Sequence, residues 1–380
     1  MIEIKFGQRR VLKNSKKKMY KIFVFLVCLI ITSSAYASSE LKKLSKQLKN
    51  GELVKIQTYE AFSFYSLQEG WYKNTNSEFD ALISYPKGKG PFPMVIIAHS
   101  SWGPEEFTSK WMKFHKDQHY KLLEMGIGTM FLDSYSSRGQ KGSTASDQFT
   151  VSLWSHFIDH FMALEFLSKD PKVNIKKVGV TGHSRGGMIS LIASEKRVRD
   201  ALISKDLYFA AAQPRSPDCE NVSWFRNPQP IKKTKTWMVL GKADNYTRSE
   251  PCIELGKKIS SNGGNITVEV KKGWHHGFLG NYPPEREKNA QIFWKCPRIY
   301  TEDNGRYNQP YIDWMIEYGA FESEKEMYDL IKNDAQEANA RSNIAYEKSK
   351  CMFLGAHTGG DKGRKFMNPY LKFWNDNLLN

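Results

Sequence analysis

Apolar and polar positions along this chain fall into two alternating periods, short β-rich runs and longer stretches with apolar residues every three or four positions. Strands are predicted at Val54–Tyr59, Phe79–Tyr85, Pro93–Ala98 and Gly128–Leu132, then at the run ending Val178-Gly179-Val180-Thr181. Further strands are predicted at Tyr208–Ala212, Thr236–Leu240 and Ile266–Val270. Between them, helical periodicity marks Trp111–Glu124, Thr150–Leu167, Gly187–Glu195 and Pro251–Ser260. The stretch Pro93-Met94-Val95-Ile96-Ile97-Ala98 is apolar at every position, as expected of a strand covered on both faces. Such alternation predicts an α/β class with a mostly parallel central sheet and helices on both faces, whose ligands bind at the carboxyl ends of the strands.

The pattern changes at both ends. Leu41–Leu48 has the spacing of a short basic amphipathic helix or a loose leader. From Cys296 to Cys351 charged helical sequence takes over, opened by the capping box Ser323-Glu324-Lys325-Glu326 and running to about Lys348, which predicts a helical insertion over about 297–350. A closing helix is predicted at Lys365–Leu379. Ahead of all this, Lys16, Lys17, Lys18 and Lys21 lead into the apolar run Ile22–Ile31 and then Ala35-Tyr36-Ala37. That is the layout of a secretory signal peptide over residues 1–37, with a mature chain from Ser38. Met19 offers a second start.

The apolar run is too short to span a bilayer, so no integral membrane segment is expected after signal cleavage, and a periplasmic or secreted location follows. The domain is then 38–380. Residues 1–37 carry eight Lys/Arg and one Glu, so the formal charge drops from +16 to +9. No basic block interleaved with aromatics remains, which argues against nucleic acid as a partner. Export leaves Cys219, Cys252, Cys296 and Cys351, an even number in an oxidising compartment. Three pairings are open, and order along the chain favours Cys219 with Cys252 and Cys296 with Cys351. No metal is expected. The spacings lack C-x-x-C, and the helical pairs His115/His119 and His156/His160 have no evident third ligand.

The chemistry is concentrated in Gly182-His183-Ser184-Arg185-Gly186, a G-x-S-x-G turn between a strand and a helix. Glycines there allow close backbone approach, so a serine can be held strained and exposed above the sheet. Serine is a poor nucleophile without a base oriented by a carboxylate, and on this layout the acid and then the base follow it along the chain. Asp244, in the turn after the 236–240 strand, is the candidate acid, with Asp218 a poorer alternative. His275 and His276 follow the next strand. Oxyanion donors are expected from the amide of Arg185 and from the loop His99–Gly103, where Ser101 is the candidate. Asp133 precedes the serine and is expected to shape the site. Trp102, Tyr135, Trp154 and Phe278 are candidate pocket walls.

These segments carry a resemblance. IIAHSSWG at 96–103, FLDSYSSRG at 131–139, VTGHSRGG at 180–187, and LGKADNYT at 240–247 followed by WHHGF at 274–278 resemble the dienelactone hydrolase family of the α/β-hydrolase superfamily, over roughly residues 80–295. The resemblance implies an α/β-hydrolase fold and hydrolase chemistry without a cofactor. It implies that His276, preceding Gly-Phe, is the base, Asp244 the acid and Ser101 the oxyanion donor. Secreted-looking relatives carry cysteines where Cys219 and Cys252 stand. The enzyme naming the family has a cysteine nucleophile and an acidic residue before the oxyanion donor, where this chain has Ser184 and Ser100. The expected function is a secreted serine hydrolase that cleaves small-molecule carboxylic esters or lactones through Ser184, His276 and Asp244 and an acyl-enzyme. The alternatives are a peptidase or acyltransferase on the same residues, or a non-catalytic binding protein that kept the fold. Oligomeric state is not legible.

Overall fold

The computed structural model describes residues 38–380, so the expected signal peptide, residues 1–37, lies outside the described residues. Eight strands form the central sheet: β1 (Glu52–Thr58), β2 (Ser77–Ser84), β3 (Phe92–Ala98), β4 (Gly128–Asp133), β5 (Val173–His183), β6 (Ala211–Arg215), β8 (Lys235–Gly241) and β9 (Asn265–Lys271). The short β7 (Trp224–Phe225) stands apart. The order is β1-β2-β4-β3-β5-β6-β8-β9, and every pairing from β4 to β9 is parallel. Only β2 runs antiparallel, against its neighbours β1 and β4. This is the α/β-hydrolase fold.

Helices cover both faces because the central strands are apolar on both. One face packs Phe157, Ile158 and Phe161 of the helix Leu153–Ser168, with Leu255 and Ile259 of the helix Ser249–Ser261, against Ile96, Val178 and Met238. The other packs Phe114 and Leu122 of the helix Phe114–Glu124, and Phe366, Tyr370 and Trp374 of the helix Gly363–Trp374, against Val95, Ile97 and Val239. The 41–48 segment is a docked helix, Ser39–Leu48. Ser38 Oγ caps it by accepting from Leu41 N at 3.0 Å, and Leu41, Leu44 and Leu48 are buried. At about 2 kcal/mol for each buried leucine, that burial outweighs fraying of a ten-residue helix.

Three helices, Gln309–Glu317, Glu324–Asn333 and Ala335–Ser349, build an apolar cluster of their own around Tyr311, Met315, Phe321, Met327 and Tyr346. Two cysteine pairs are bonded, Cys219 with Cys252 and Cys296 with Cys351; the second closes a 55-residue loop around those helices. The single helical run expected from Ser323 to Lys348 is broken. Asp334 takes an extended backbone and its side chain accepts from Glu337 N at 3.0 Å, capping a second helix. The strand expected at 208–212 lies at 211–215 instead. Two small two-stranded sheets were not foreseen: β10 (Glu285–Ile292) pairs antiparallel with β12 (Phe353–Thr358), and β11 (Tyr300–Thr301) pairs with β7.

Candidate active site

Strand β5 ends at His183 and a helix begins at Arg185, so Ser184 occupies the turn alone. Its backbone sits at φ 55°, ψ −117°, a conformation that costs a non-glycine residue on the order of 1–3 kcal/mol. The surroundings enforce it. Ser184 N donates to Arg215 O at 2.9 Å from the end of β6, and Met188 N donates to Ser184 O at 2.9 Å. Glycine is required on either side: a Cβ on Gly182 would stand 2.4 Å from Gly186 O, and one on Gly186 would stand 2.7 Å from Ala98 O.

Asp244 lies in the turn after β8 and is buried. Its Oδ1 accepts from Tyr246 N and Thr247 N, both at 2.9 Å, so the carboxylate is fixed by its own turn. Its Oδ2 lies 2.9 Å from His276 Nδ1, and Thr247 Oγ1 lies 3.1 Å from both. A carboxylate only accepts, which sets Nδ1 as the protonated nitrogen and leaves Nε2 as the basic one. His276 Nε2 has no hydrogen-bond partner among the described residues. Neighbouring His275 does not reach Asp244; its ring lies near His357. Asp218 does not reach His276 either. Its Oδ1 accepts from Glu220 N at 2.8 Å and Asn221 N at 3.2 Å.

Ser101 follows β3. Its carbonyl accepts from Thr144 N at 2.7 Å and its hydroxyl donates to Gln148 Oε1 at 2.9 Å, while its amide has no partner among the described residues. Arg185 N opens a helix, where the first N–H groups have no intrahelical acceptor. Ser101, Ser184 and Arg185 line one cavity together, and Ser101, Ser184 and His276 line a second. The Arg185 guanidinium is turned aside to the carbonyls of Val151 and Gln148. Asp133 shapes the neighbouring turn, accepting from Tyr135 N at 3.0 Å and Ser136 N at 2.9 Å.

Two of the expected pocket walls are not walls. Tyr135 is fully buried with its hydroxyl 2.9 Å from Thr144 Oγ1, and Phe278 packs into the core beneath the sheet against Trp274 and Phe366. Trp102 and Trp154 do line the cavities. The histidine pairs are interior: His119 Nδ1 lies 2.7 Å from Thr129 Oγ1, and His160 Nδ1 donates to His156 O at 2.8 Å. Among the described residues no group of three or more His, Cys, Asp or Glu is placed to hold a metal.

Three contributors were not anticipated. His183, inside the elbow motif, is buried and accepts from Gly277 N at 3.0 Å through Nε2; burial keeps the ring well below its ordinary pKa, and so neutral. That bond ties the loop carrying His276 to the strand that leads into Ser184. From outside, Gly359 N donates to His276 O at 2.7 Å and Lys362 N to Phe278 O at 2.8 Å, so the chain after β12 straps the same loop. The third is Glu106, 1% exposed, which lines the cavity that holds His276. It accepts from Ser100 Oγ, and Ser100 Oγ in turn accepts from Trp102 N at 3.1 Å, fixing the Ser101 loop. His115 Nε2 lies 3.4 Å from its other oxygen.

Burial pushes the Glu106 carboxyl up to about 7, against 4.5 when free. Below pH 4.5 both folded and unfolded chains hold the proton and Glu106 contributes nothing. As pH rises through that window the unfolded chain releases it first, so stability falls, and above 7 the penalty is complete. Glu106→Gln keeps an acceptor for Ser100. It is expected to match wild type in urea unfolding near pH 4 and to exceed it by on the order of 3 kcal/mol at pH 8.5. A gap that is the same at both pH values would exclude this account.

The family model of the dienelactone hydrolase family matches residues 79–296, more than half of the chain. The chain belongs to the dienelactone hydrolase family. It is similar to "Protein usf" of Aquifex pyrophilus, 25% identical over 219 residues that cover 56% of this chain and 85% of the relative. It also resembles esterase EstD of Thermotoga maritima, 30% identical over 123 residues, 32% of this chain and 28% of that one. Among solved structures it aligns with a butyrate-bound esterase, Est2 of Thermogutta terrifontis, at 15% identity and a TM-score of 0.42, over 62% of this chain and 87% of the other. As a dienelactone hydrolase-type protein it is an ester hydrolase. Its matched span runs from β2 through the elbow, Asp244 and His276 to Cys296.

Proposed function

We propose that this chain is a serine hydrolase of small-molecule carboxylic esters, acting outside the cytoplasm through a Ser184–His276–Asp244 triad and an acyl-enzyme. The observation that carries the reading is the 2.9 Å contact of His276 Nδ1 with a turn-locked Asp244, in a cavity shared with a serine held at positive φ. His276 Nε2 takes the Ser184 proton as Oγ attacks the ester carbonyl. The amides of Arg185 and Ser101 receive the developing oxyanion. Collapse expels the alcohol, which takes the proton from His276, and water then repeats the sequence on the acyl-enzyme. Asp244 holds the ring and stabilises it while charged.

Two disulfides support an oxidising location, as the expected signal peptide does. Residues 38–380 form the hydrolase domain in this reading, with about 297–350 as an insertion that covers the site. Fluorophosphonate labelling followed by peptide mass spectrometry tests it. The adduct is expected on Ser184 alone in the 38–380 protein. An unlabelled Ser184 in folded protein would favour the non-catalytic alternative.

A further inference from the structure

Two cavities meet at Ser184, and they differ in kind. One, of about 590 Å³, contains His276 and is walled by Trp102, Trp111 and Tyr282, with Glu285 and Glu287 at its side. The other, of about 140 Å³, lacks His276 and is walled by Phe149, Phe293, Tyr307, Tyr311 and Tyr346, with Asp218 among them. The direction of the reaction assigns them. The leaving oxygen must accept a proton from the imidazolium, so the alcohol departs on the His276 side. The acyl group then occupies the smaller cavity.

Size and chemistry narrow that group. A cavity of about 150 Å³ lined by hydrophobic side chains accepts a benzene molecule, so about 140 Å³ suits one aromatic ring. Its walls are themselves rings in contact: Phe149 lies 5.8 Å from Phe293 and 4.9 Å from Tyr346, centroid to centroid. Asp218 is the single carboxylate in this lining. Its Oδ1 is saturated by the amides of Glu220 and Asn221, and its Oδ2 has no donor among the described residues. Nearby cations are engaged elsewhere: Arg248 and Arg298 pair with Glu220, and Arg185 with backbone carbonyls. Asp218 is partly exposed and Oδ2 is not sealed from solvent, so this oxygen can take a donor from a ligand in place of water inside an aromatic-lined cavity. An ammonium would bring a second charge to desolvate, whereas a phenolic hydroxyl supplies a neutral donor and a ring that matches the walls.

We propose that the acyl half of the substrate is a hydroxylated aromatic ring, a hydroxybenzoate-type acyl group, whose hydroxyl donates to Asp218. The Cys219–Cys252 bridge fixes Asp218 next to its own turn. The inference rests on Ser184 being the nucleophile, and its test separates the two.

The experiment compares kcat/KM for methyl acetate, benzoate, 3-hydroxybenzoate and 4-hydroxybenzoate, so the leaving group is constant, with fluorophosphonate labelling alongside. One of the hydroxybenzoates is expected to exceed benzoate ten- to a hundredfold, the range for a hydrogen bond to a charged group. In Asp218→Asn and Asp218→Ala that advantage, read as the ratio of hydroxybenzoate to benzoate within each variant, is expected to shrink severalfold or vanish. Labelled wild type that prefers acetate, or shows no gain from either hydroxyl, overturns the acyl assignment and leaves the triad standing. Faster turnover of L-alanine methyl ester than of any hydroxybenzoate overturns it in favour of an ammonium. Absence of both labelling and turnover removes the triad and this inference with it. The wild-type series decides the matter even where the Asp218 variants fail to fold.

Discussion

Ser184→Ala is expected to lower kcat on a p-nitrophenyl ester by at least about 10⁴-fold, with His276→Ala comparable and Asp244→Asn near 10⁴-fold. The three fail together because each acts through the next. Without Asp244 nothing holds Nδ1 protonated, and the ring presents the wrong nitrogen to Ser184. Thr247 Oγ1, 3.1 Å from Nδ1, can hold the ring in place but carries no charge to stabilise imidazolium. The double variant Ser184→Ala, His276→Ala is therefore expected to be no slower than either single one. Residual turnover comes from the amides of Ser101 and Arg185, which alanine leaves intact. Far-UV circular dichroism and a thermal melt accompany the kinetics, because Ser184→Ala also places alanine at φ 55°. A Ser184→Ala protein that keeps more than a tenth of wild-type kcat would rule the nucleophile out.

Much of this site was legible because its parts are local. A glycine on either side of a serine, after a β-branched run, announces the elbow; an aspartate three residues past β8 and a His-Gly-Phe after β9 sit where a parallel sheet places its carboxyl ends. What was not legible depends on distant partners. Glu106 reads as one more acid in Glu105-Glu106, and only the approach of Ser100 and His115 makes it a buried carboxyl at the site. Strand β10 spells Glu285-Arg286-Glu287-Lys288, a charged run with no alternation, because its first residues face solvent and β12 supplies the pairing. β6 was displaced by three residues because Pro214 and Arg215 lie inside it, and neither belongs to a strand's usual vocabulary. Phe278 follows His276 so closely that it reads as a pocket wall, yet Gly277, at φ 64°, turns the chain and sends the ring under the sheet.

Replacing both Cys296 and Cys351 with serine is expected to cost about 4 kcal/mol of unfolding free energy, the chain-entropy value for opening a 55-residue loop. The same relation gives the 33-residue Cys219–Cys252 loop nearly as much, since the cost grows only with the logarithm of length. Their local consequences differ. Cys296–Cys351 ties off the segment that carries Tyr307, Tyr311 and Tyr346, so its loss loosens one wall of the smaller cavity while β3, the elbow and the Asp244 turn keep their own contacts. Urea midpoints for the two double-serine variants and for reduced wild type measure the stability part. Activity on acetate against an aromatic ester, read well below the midpoint, measures the local part. The Cys296/Cys351 variant is expected to retain acetate turnover within a few fold and to lose selectivity among acyl groups, because the nucleophile is held by the sheet and the cavity by the bridged helices. Equal loss on both esters would mean that the helical segment holds the elbow itself, against the packing of Ser184 on Arg215 and of Gly186 on Ala98.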